Sequence, residues 1–568
     1  MQAPGILTLL IAAAVGTAFW AAIFRSSDKA CRWLCLVLLF CLMGWMVVYR
    51  SQQLCLYSDT PVHLAMIEKE AQCGLFPGDP FFPGFPTPLH YSPLHVIGGA
   101  LVTVAGLSVE GSWMVLGLLY AGLLFFSSLL FGRALFGDVK IAWVQALLTT
   151  LWLCLGDMVP HLGLSSVFST LLAMSLLLDS AQRQTLSWLW VVCIAAIMGF
   201  ALAVRLYPGL PGYLLLLVLI CFLLGRLHEM KHRSAKAIFL VLCPIILAWP
   251  WLSLVFDHGQ GSGMAHVPGW PGWDVYWAIR LNYLREMWLW KYAGPAIAGR
   301  LCLCLMCLGG CVLLFTRMLS RTTRLFMGWM IGSLVVCWLI PVELCLAGSL
   351  SGDQMRRMGD IFGRFTSLIA PMALAFGVIL YCKRQAASAM TGRAWAWSSL
   401  ALLCLILLCL GPASSLRLKT TYGHAMRPRL DFLHSGKEKV FSVLRGRTVL
   451  SDSWTSYLTQ HALGTYVVAI PEGHSSEMVD VRYRSNLIAA LFSGVLPESS
   501  VRRLMAKYHV EFILINKVLA ENRPIPHLEV KAVEYSGFNS SYMKKNPLFT
   551  LYYEDEDVLL LAVTIPHG

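Results

Sequence analysis

The chain has 568 residues, of which 57% are hydrophobic and only 13% are charged, and its formal net charge is +13. Soluble proteins carry about 25% charged residues, so this chain has too little charge to cover the surface of a soluble globule. Its aromatic content of 12% also excludes an intrinsically disordered protein. The composition predicts a polytopic membrane protein.

Apolar runs, each close to the ~20 residues that a membrane-spanning helix needs, occupy most of the chain up to residue 412. The segment 94–108 is apolar but short, and we expect it to lie at the membrane interface or to re-enter the membrane. The sequence therefore predicts a transmembrane domain, residues 1–412, with about 12 spans. These lie near residues 5–24, 33–49, 112–132, 139–156, 162–179, 187–204, 209–225, 236–256, 296–316, 325–346, 363–382 and 394–412.

Basic residues between the spans predict the orientation of the chain. If 94–108 does not cross, the Lys and Arg residues of alternate loops fall on one side, which the positive-inside rule assigns to the cytoplasm. The N-terminus, the long loop 50–111 and the C-terminal domain then lie outside. The basic residues are Arg25, Lys29, Arg32, Arg133, Lys140, Arg183, Arg226, Lys231, Arg233, Lys236, Arg317, Arg321, Arg324, Lys383, Arg384 and Arg393.

The segment 413–568 carries regular charges and no long apolar run, so we expect a soluble domain. Short apolar runs that predict strands alternate in it with helical patterns, and this alternation favours an α/β domain. We expect the domain to bind the acceptor or to be structural. The predicted strands are 448–451, 466–470, 510–515, 549–553 and 558–563, and the predicted helical stretches are 453–463 and 480–508.

The loop 50–111 begins with a helix-start signal. Asp59 precedes Thr60-Pro61, and Asp at a helix start with Pro in the first turn is a favoured combination. Asp59 and His63 are four residues apart, so a helix places them on one face. Two interpretations stay open: a catalytic carboxylate with a neighbouring histidine, or a capping residue followed by a histidine that faces water.

The same loop continues with five prolines between residues 77 and 88, mixed with glycines and aromatic residues. This composition predicts a rigid, non-helical cover. It contains Asp79 within a Gly-Asp-Pro turn signal, and it leads into His90-Tyr91-Ser92-Pro93. A pocket that stacks a sugar ring and a packed lid both fit this segment.

Four features of residues 33–410 together resemble the layout of the GT-C superfamily. They are a carboxylate just beyond an early span, an interfacial helix, a Pro-rich stretch that ends in His90-Tyr91-Ser92-Pro93-Leu94, and a span that runs into Arg133-Ala134-Leu135-Phe136-Gly137. Members of this superfamily are integral-membrane glycosyltransferases that use polyprenyl-phosphate sugar donors. They include protein O-mannosyltransferases, lipid A aminoarabinose transferases and mycobacterial arabinosyltransferases. The extra N-terminal span departs from the usual arrangement.

The resemblance implies an inverting transfer of a sugar from polyprenyl phosphate to a glycan, lipid or protein acceptor outside the bacterial inner membrane. Asp59 matches the position of the family's catalytic carboxylate and would act as general base, with His63 beside it; partial burial that raises the pKa of this carboxyl would suit the role. Asp79 is the rival to Asp59 for this role, although its Gly-Asp-Pro setting is equally a turn signal. Asp157 matches a second acidic residue in the next external loop, although a helix-end turn explains it equally well.

The leaving phosphate needs cations at the membrane surface, and arginine binds phosphate with two parallel hydrogen bonds. Arg205 stands at the external end of an apolar helix, and Arg364 enters a span from the external side. An ionisable residue at that depth indicates function, with snorkelling as the alternative. The candidate substrate-binding residues are Arg205, Tyr207, Arg357, Arg364, Asp79, His90 and Tyr91.

The sequence indicates no certain cofactor, and it leaves open whether Mg²⁺ or Mn²⁺ is needed. His258 and His266 could contribute to a metal site, but no third ligand is assigned to it. Alternative functions are a polysaccharide polymerase or ligase that uses lipid-linked glycans, a lipid or glycan transporter, and a non-catalytic assembly subunit. The expected partners are the lipid bilayer, the donor and the acceptor, and not nucleic acid.

Overall fold

A computed structural model describes residues 28–53, 60–88, 91–156, 162–204, 213, 216–221, 225, 232–261, 320–326, 328–329, 438–471, 479–521 and 533–564. The chain divides into two compact units. The first comprises residues 1–48, 116–252 and 265–417, and the second comprises residues 49–115, 253–264 and 418–568. The loop 50–111 therefore belongs to the same unit as the C-terminal part of the chain.

Apolar helices make up the described part of the first unit. By length and composition, Val109–Phe136 and Ser234–Leu254 are able to cross a membrane. The predicted spans from residue 5 to 24 and from residue 296 onwards lie outside the described residues, apart from a few positions near 325. The long helices are α1 (Asp28–Gln53), α4 (Val109–Phe136), α5 (Val139–Gly156), α6 (Leu162–Arg183), α7 (Trp188–Val204) and α8 (Arg233–Gly261).

Polar contacts join several ends of these helices. These ends lie near the basic residues that the positive-inside rule predicts to be cytoplasmic. The contacts tie the start of α1 to the start of α5, the end of α6 to the end of α4, and the α6–α7 connection to the start of α8. The contacts are Lys140 Nζ to Asp28 Oδ1 at 3.7 Å, Gln182 Nε2 to the Ala134 carbonyl at 2.7 Å, and Lys236 Nζ to the Leu186 carbonyl at 2.6 Å.

The described part of the second unit contains two short helices of the loop 50–111 and a C-terminal part with further helices and a mixed sheet. The helices of the loop are α2 (Thr60–Cys73) and α3 (Pro93–Thr103). At 11 residues α3 is too short to span a bilayer, which agrees with the interfacial element predicted at 94–108. The C-terminal elements are α9 (Glu438–Phe441), β1 (Thr448–Leu450), α10 (Ser453–Leu463), β2 (Tyr466–Val467), α11 (Val481–Phe492), α12 (Glu498–Lys507), β3 (Phe512–Asn516), α13 (Lys517–Ala520), α14 (Ser540–Lys545), β4 (Phe549–Glu554) and β5 (Val558–Val563).

The five strands form one sheet in the order β2-β1-β3-β5-β4. Strand β1 pairs in parallel with β2 and with β3, whereas β5 pairs antiparallel with both β3 and β4. All five residues of β3 are buried, as expected for a central strand that is covered on both faces. The core on one face gathers Phe441, Leu444, Val449, Leu458, Phe512, Leu514, Val558 and Leu560.

All five predicted C-terminal strands are present, as is the predicted helix at 453–463. The single helical stretch expected at 480–508 is wrong, because it is divided into α11 and α12. Gly494 adopts a left-handed φ of 78°, which ends α11, and Pro497 precedes the first residue of α12. Glycine accepts that conformation without the steric cost that a Cβ would add.

Candidate active site in the loop 50–111

Helix α2 carries polar side chains at buried positions. His63 is 4% exposed and Glu70 is 7% exposed, so the interpretation of His63 as a water-facing residue is wrong. The sequence predicts that α2 lies along an interface with a wet polar face. In the structure α3 and α10 pack against α2 and bury His63 and Glu70, whereas Glu68 and Lys69 stay partly exposed. His63 and Glu70 are seven residues apart, so two turns of one helix place them on the same side.

A hydrogen bond joins His63 to His95 of α3. The Nδ1 atom of His63 lies 2.9 Å from Nε2 of His95, and the Nδ1 atom of His95 accepts the backbone N–H of Ser92 at 2.9 Å. Because a backbone N–H can only donate, the proton of a neutral His95 ring must be on Nε2. His95 therefore donates to His63, and a neutral His63 carries its own proton on Nε2.

Burial keeps the His95 ring uncharged. The side chain is 1% exposed, and removal from water lowers the pKa of His95 from 6.5 to about 3. A charged ring would also have no acceptor at Nδ1, where the Ser92 N–H points. Its surroundings thus hold the ring in one tautomer. A fixed tautomer lets an imidazole orient a neighbouring group through its other nitrogen.

Tyr91 links the end of the Pro-rich segment to α2. Its hydroxyl donates to Oε2 of Glu70 and accepts the backbone N–H of Phe76 at 3.4 Å. Burial, together with the hydrogen bond to Glu70, raises the pKa of Tyr91. The hydroxyl therefore stays protonated and supplies the buried carboxylate with a donor, which such a group requires.

Four rings follow one another through the interior of this region. The ring planes of Tyr91 and His95 are 14° apart, those of His95 and His63 are 21° apart, and those of His63 and Trp113 are 19° apart. Successive ring centroids are separated by 5.6, 5.2 and 5.1 Å. The row runs from Tyr91, after the Pro-rich segment, to Trp113 near the start of α4. Ring contacts therefore join the end of this segment, α3, α2 and the start of α4.

Two glycines allow α3 to approach α2 closely. A Cβ on Gly98 would lie 2.8 Å from Ile67 Cδ1, and a Cβ on Gly99 would lie 2.6 Å from Glu70 Cγ. Both separations are below normal contact, so side chains at these positions would push the helices apart. Ser112 Oγ adds a hydrogen bond to the Gly98 carbonyl at 2.8 Å and thereby fixes α3 to the start of α4.

The carboxylate of Asp79 organises the Pro-rich segment. Its Oδ1 atom accepts the backbone N–H groups of Phe81 at 2.8 Å and Phe82 at 3.1 Å, and its own N–H donates to the Phe85 carbonyl. This arrangement is the turn that the Gly-Asp-Pro signal indicates. Asp79 is 3% exposed, so its contacts hold the loop together from inside.

The turn presents two phenylalanines to the C-terminal part of the chain. Phe81 stacks on Tyr457 with ring centroids 5.7 Å apart, and its carbonyl accepts the Val467 N–H at 3.2 Å. The guanidinium of Arg484 lies 4.7 Å from the ring centroid of Phe82 and 4.6 Å from that of Tyr508. Burial lowers the pKa of Arg484, yet an arginine stays charged and attracts aromatic faces.

Of the predicted site residues, His63, Asp79 and Tyr91 lie within the described part of the chain. His63 and Tyr91 lie in the row of rings, whereas Asp79 lies in the turn. Asp59 immediately precedes α2 in the sequence. The others outside the described residues are Asp157, Arg205, Tyr207, His90, Arg357 and Arg364, together with His258 and His266 as side chains.

The sequence interpretation missed Glu70, His95 and Trp113. The signal for His95 is its position three residues after Ser92, where a capping box usually has Glu or Gln. Its ring accepts the Ser92 N–H as such a side chain would. Glu70 and Trp113 carry no comparable local signal, because their partners are distant in the sequence. Among the described residues, no three His, Cys, Asp or Glu side chains group closely enough to hold a metal ion.

Comparison with known proteins identifies relatives by structure alone. No family model and no curated protein matches the chain. ArnT from Cupriavidus metallidurans bound to undecaprenyl phosphate is similar with a TM-score of 0.53 and 13% identity, over 93% of this chain and 98% of that one. Its apo state gives the same TM-score and identity over 93% of this chain and 97% of that one.

A second similar structure is the Archaeoglobus fulgidus oligosaccharyltransferase tethered to an acceptor peptide. It has a TM-score of 0.50 and 12% identity, over 86% of this chain and 70% of that one. Both proteins are membrane glycosyltransferases of the GT-C superfamily. The chain therefore has a fold similar to that of these two proteins, in agreement with the resemblance seen in the sequence.

Proposed function

We propose that the chain is a glycosyltransferase that moves a sugar from a polyprenyl-phosphate donor to a glycan, lipid or protein acceptor. The fold it shares with ArnT, whose structure holds undecaprenyl phosphate, supports this class of reaction. The observation that carries the proposal for this chain is the buried His63–His95 pair. It fixes the orientation of a histidine four residues after Asp59, at the start of the helix that Asp59 precedes.

Asp59 is the proposed general base. His63 accepts from His95 at Nδ1, so a neutral His63 carries its proton on Nε2, the ring nitrogen proposed to donate to the Asp59 carboxylate. A base oriented by a neighbouring group, which a further group orients in turn, is a recurrent arrangement in enzymes. In this proposal His63 orients Asp59, and His95 orients His63.

The reaction is a single displacement. The acceptor hydroxyl oxygen attacks the anomeric carbon while Asp59 takes the hydroxyl proton. The bond between that carbon and the phosphate oxygen breaks, and its electron pair leaves with polyprenyl phosphate, so the configuration inverts. Arg205 and Arg364 are proposed to bind the leaving phosphate, assisted by Arg357 and Tyr207.

The remaining proposed site residues have supporting roles. Asp157 is a second acid, and His90 is a substrate contact at the end of the Pro-rich segment. Tyr91 and Asp79 hold this segment through Glu70 and through the turn amides. A divalent cation such as Mg²⁺ or Mn²⁺ would add positive charge for the phosphate, and its requirement stays a prediction.

The proposed location is the bacterial inner membrane, with the loop 50–111 and the C-terminal domain on the outer face. Phe81 contacts Tyr457, and its carbonyl accepts from Val467. These contacts support a position of the loop and the C-terminal domain on the same side of the membrane. The contacts that join the basic helix ends support a common side for those ends.

The test replaces Asp59 by Asn in the full chain, purified into lipid nanodiscs. We expect release of undecaprenyl phosphate from an undecaprenyl-phosphate sugar to fall about 10²- to 10⁴-fold, because the general base is lost. Binding of undecaprenyl phosphate itself should persist. Asp28→Asn is the matched control, since Asp28 is an exposed carboxylate that faces Lys140, and it should keep full turnover. Full turnover by Asp59→Asn would overturn the general-base role.

A further inference from the structure

A cleft of about 440 Å³ opens in the second unit between α2 and the corner formed by α10 and β2. We call it the Lys69 cleft. A volume of this size lies within the range of small-molecule sites. The side chains that matter for its chemistry are Lys69 and Gln72 of α2, Arg445 before β1, and Gln460, Thr465 and Tyr466.

Two buried polar atoms of the lining have no hydrogen-bond partner among the described residues. They are Oε1 of Gln460, a residue 7% exposed, and Oγ1 of Thr465, a residue 1% exposed. The amide nitrogen of Gln460 donates to the Pro80 carbonyl at 3.3 Å, so the unpaired atom of this side chain is the amide oxygen. A buried acceptor without a donor is unfavourable, and a ligand hydroxyl would supply one.

Two cations line the same cleft without an ion pair among the described residues. The ammonium of Lys69 lies 5.6 Å from the ring centroid of Tyr466, and Arg445 is exposed at the rim. Glu68 also lines the cleft and supplies one negative charge. Two positive charges against one leave an excess that favours an anionic ligand.

We propose that the Lys69 cleft binds an anionic saccharide unit of the acceptor, one that carries a carboxylate or a phosphate group. Tyr466 offers an aromatic face to the C–H side of a sugar ring, and Gln460 and Thr465 offer buried oxygens to its hydroxyls. Lys69 and Arg445 bind the acidic group. This assignment rests on the proposed glycosyl transfer and adds to it the chemical class of the acceptor.

The test measures saturation-transfer NMR signals from glucuronate, glucose 6-phosphate and glucose with the full chain in nanodiscs. At least one of the two anions should bind ten times more tightly than glucose, and the stronger of them identifies the acidic group. Equal binding of glucose and both anions, or no binding by either anion, would overturn the proposal.

Variants locate the binding in the cleft. Lys69→Gln and Gln460→Leu should each weaken binding of the anion about tenfold. Arg503→Gln removes a positive charge from an exposed position of α12 that does not line the cleft, and it should change nothing. Unchanged binding in both cleft variants would contradict the assignment. Undecaprenyl phosphate release, measured in the same preparations, separates a failure of the cleft from a failure of the proposed transfer reaction.

Discussion

His95 donates its Nε2–H to Nδ1 of His63 across 2.9 Å, and the two residues are 32 positions apart in the sequence. The Ser92 N–H occupies the other nitrogen of His95, so the direction of donation follows from the backbone. Neither ring faces water, at 4% and 1% exposure. The pair is therefore a fixed support for the first turn of α2, the helix that Asp59 precedes in the sequence.

The neutrality of His95 gives stability a predictable pH dependence. Its pKa falls from 6.5 in the unfolded chain to about 3 in the folded one. Above pH 6.5 neither state binds the proton, whereas below it the unfolded chain binds the proton first. The free energy of unfolding should therefore drop as the pH falls from 6.5 towards 3, by about 2 kcal/mol for the first 1.5 pH units.

Thermal unfolding of the wild type and His95→Gln at pH 7.5 and pH 5 measures this contribution of His95 to the free energy of unfolding. The variant lacks the titrating ring, so the stability difference between the two proteins should shrink at pH 5. Titrating groups outside the His63–His95 pair act on both proteins alike and cancel in the difference. A difference that is constant with pH would show that His95 is not held neutral by burial.

The close approach of α3 to α2 makes Gly99 sensitive to substitution. A Cβ there would lie 2.6 Å from Glu70 Cγ and 3.2 Å from the backbone nitrogen of Ala71, which has little freedom to move. Gly99→Ala should lower the free energy of unfolding by about 1–3 kcal/mol, as overpacking does. Gly122→Ala in α4 is the control, because nothing lies within 4 Å of its added Cβ. Equal thermal midpoints for the two variants would refute the steric argument.

Arg484 holds the Pro-rich segment through the faces of Phe82 and Phe85 and donates to the Val468 carbonyl at 3.1 Å. Lysine lacks the planar guanidinium that makes these contacts together. Arg484→Lys should therefore speed proteolytic cleavage within 74–88 several-fold, measured by limited proteolysis of the full chain. Arg502→Lys, at an exposed ion pair with Glu498, is the control. Equal cleavage rates in both variants would show that Arg484 does not hold the Pro-rich segment.

Helix positions were predictable because apolar length alone determines them: the predicted span 139–156 coincides with α5. The strands followed from short apolar runs, since β3 is buried along its whole length. The division of 480–508 was not seen, although Gly494 and Pro497 mark it in the sequence. Their effect depends on the local backbone rather than on the apolar pattern.

The site was predictable only in part, because its contacts join distant segments. His63 was selected for its spacing from Asp59, but its partner His95 lies in another helix. The sequence around Glu70 is typical of a surface residue, but in the structure Tyr91 and Gly99 contact its side chain. The sequence left two roles for Asp79, substrate binding and a turn. In the structure its carboxylate accepts from the Phe81 and Phe82 amides and forms the turn.

The most direct test of the proposed function is acceptor-dependent turnover of the donor. Wild-type protein in lipid nanodiscs is mixed with undecaprenyl phosphates that carry different sugars and with delipidated envelope glycans, and free undecaprenyl phosphate is quantified. We expect release from at least one donor, dependent on the acceptor and abolished by Asp59→Asn. No release of undecaprenyl phosphate, together with movement of the donors across the bilayer when the protein is placed in sealed liposomes, would contradict the proposed transfer and would favour a transporter.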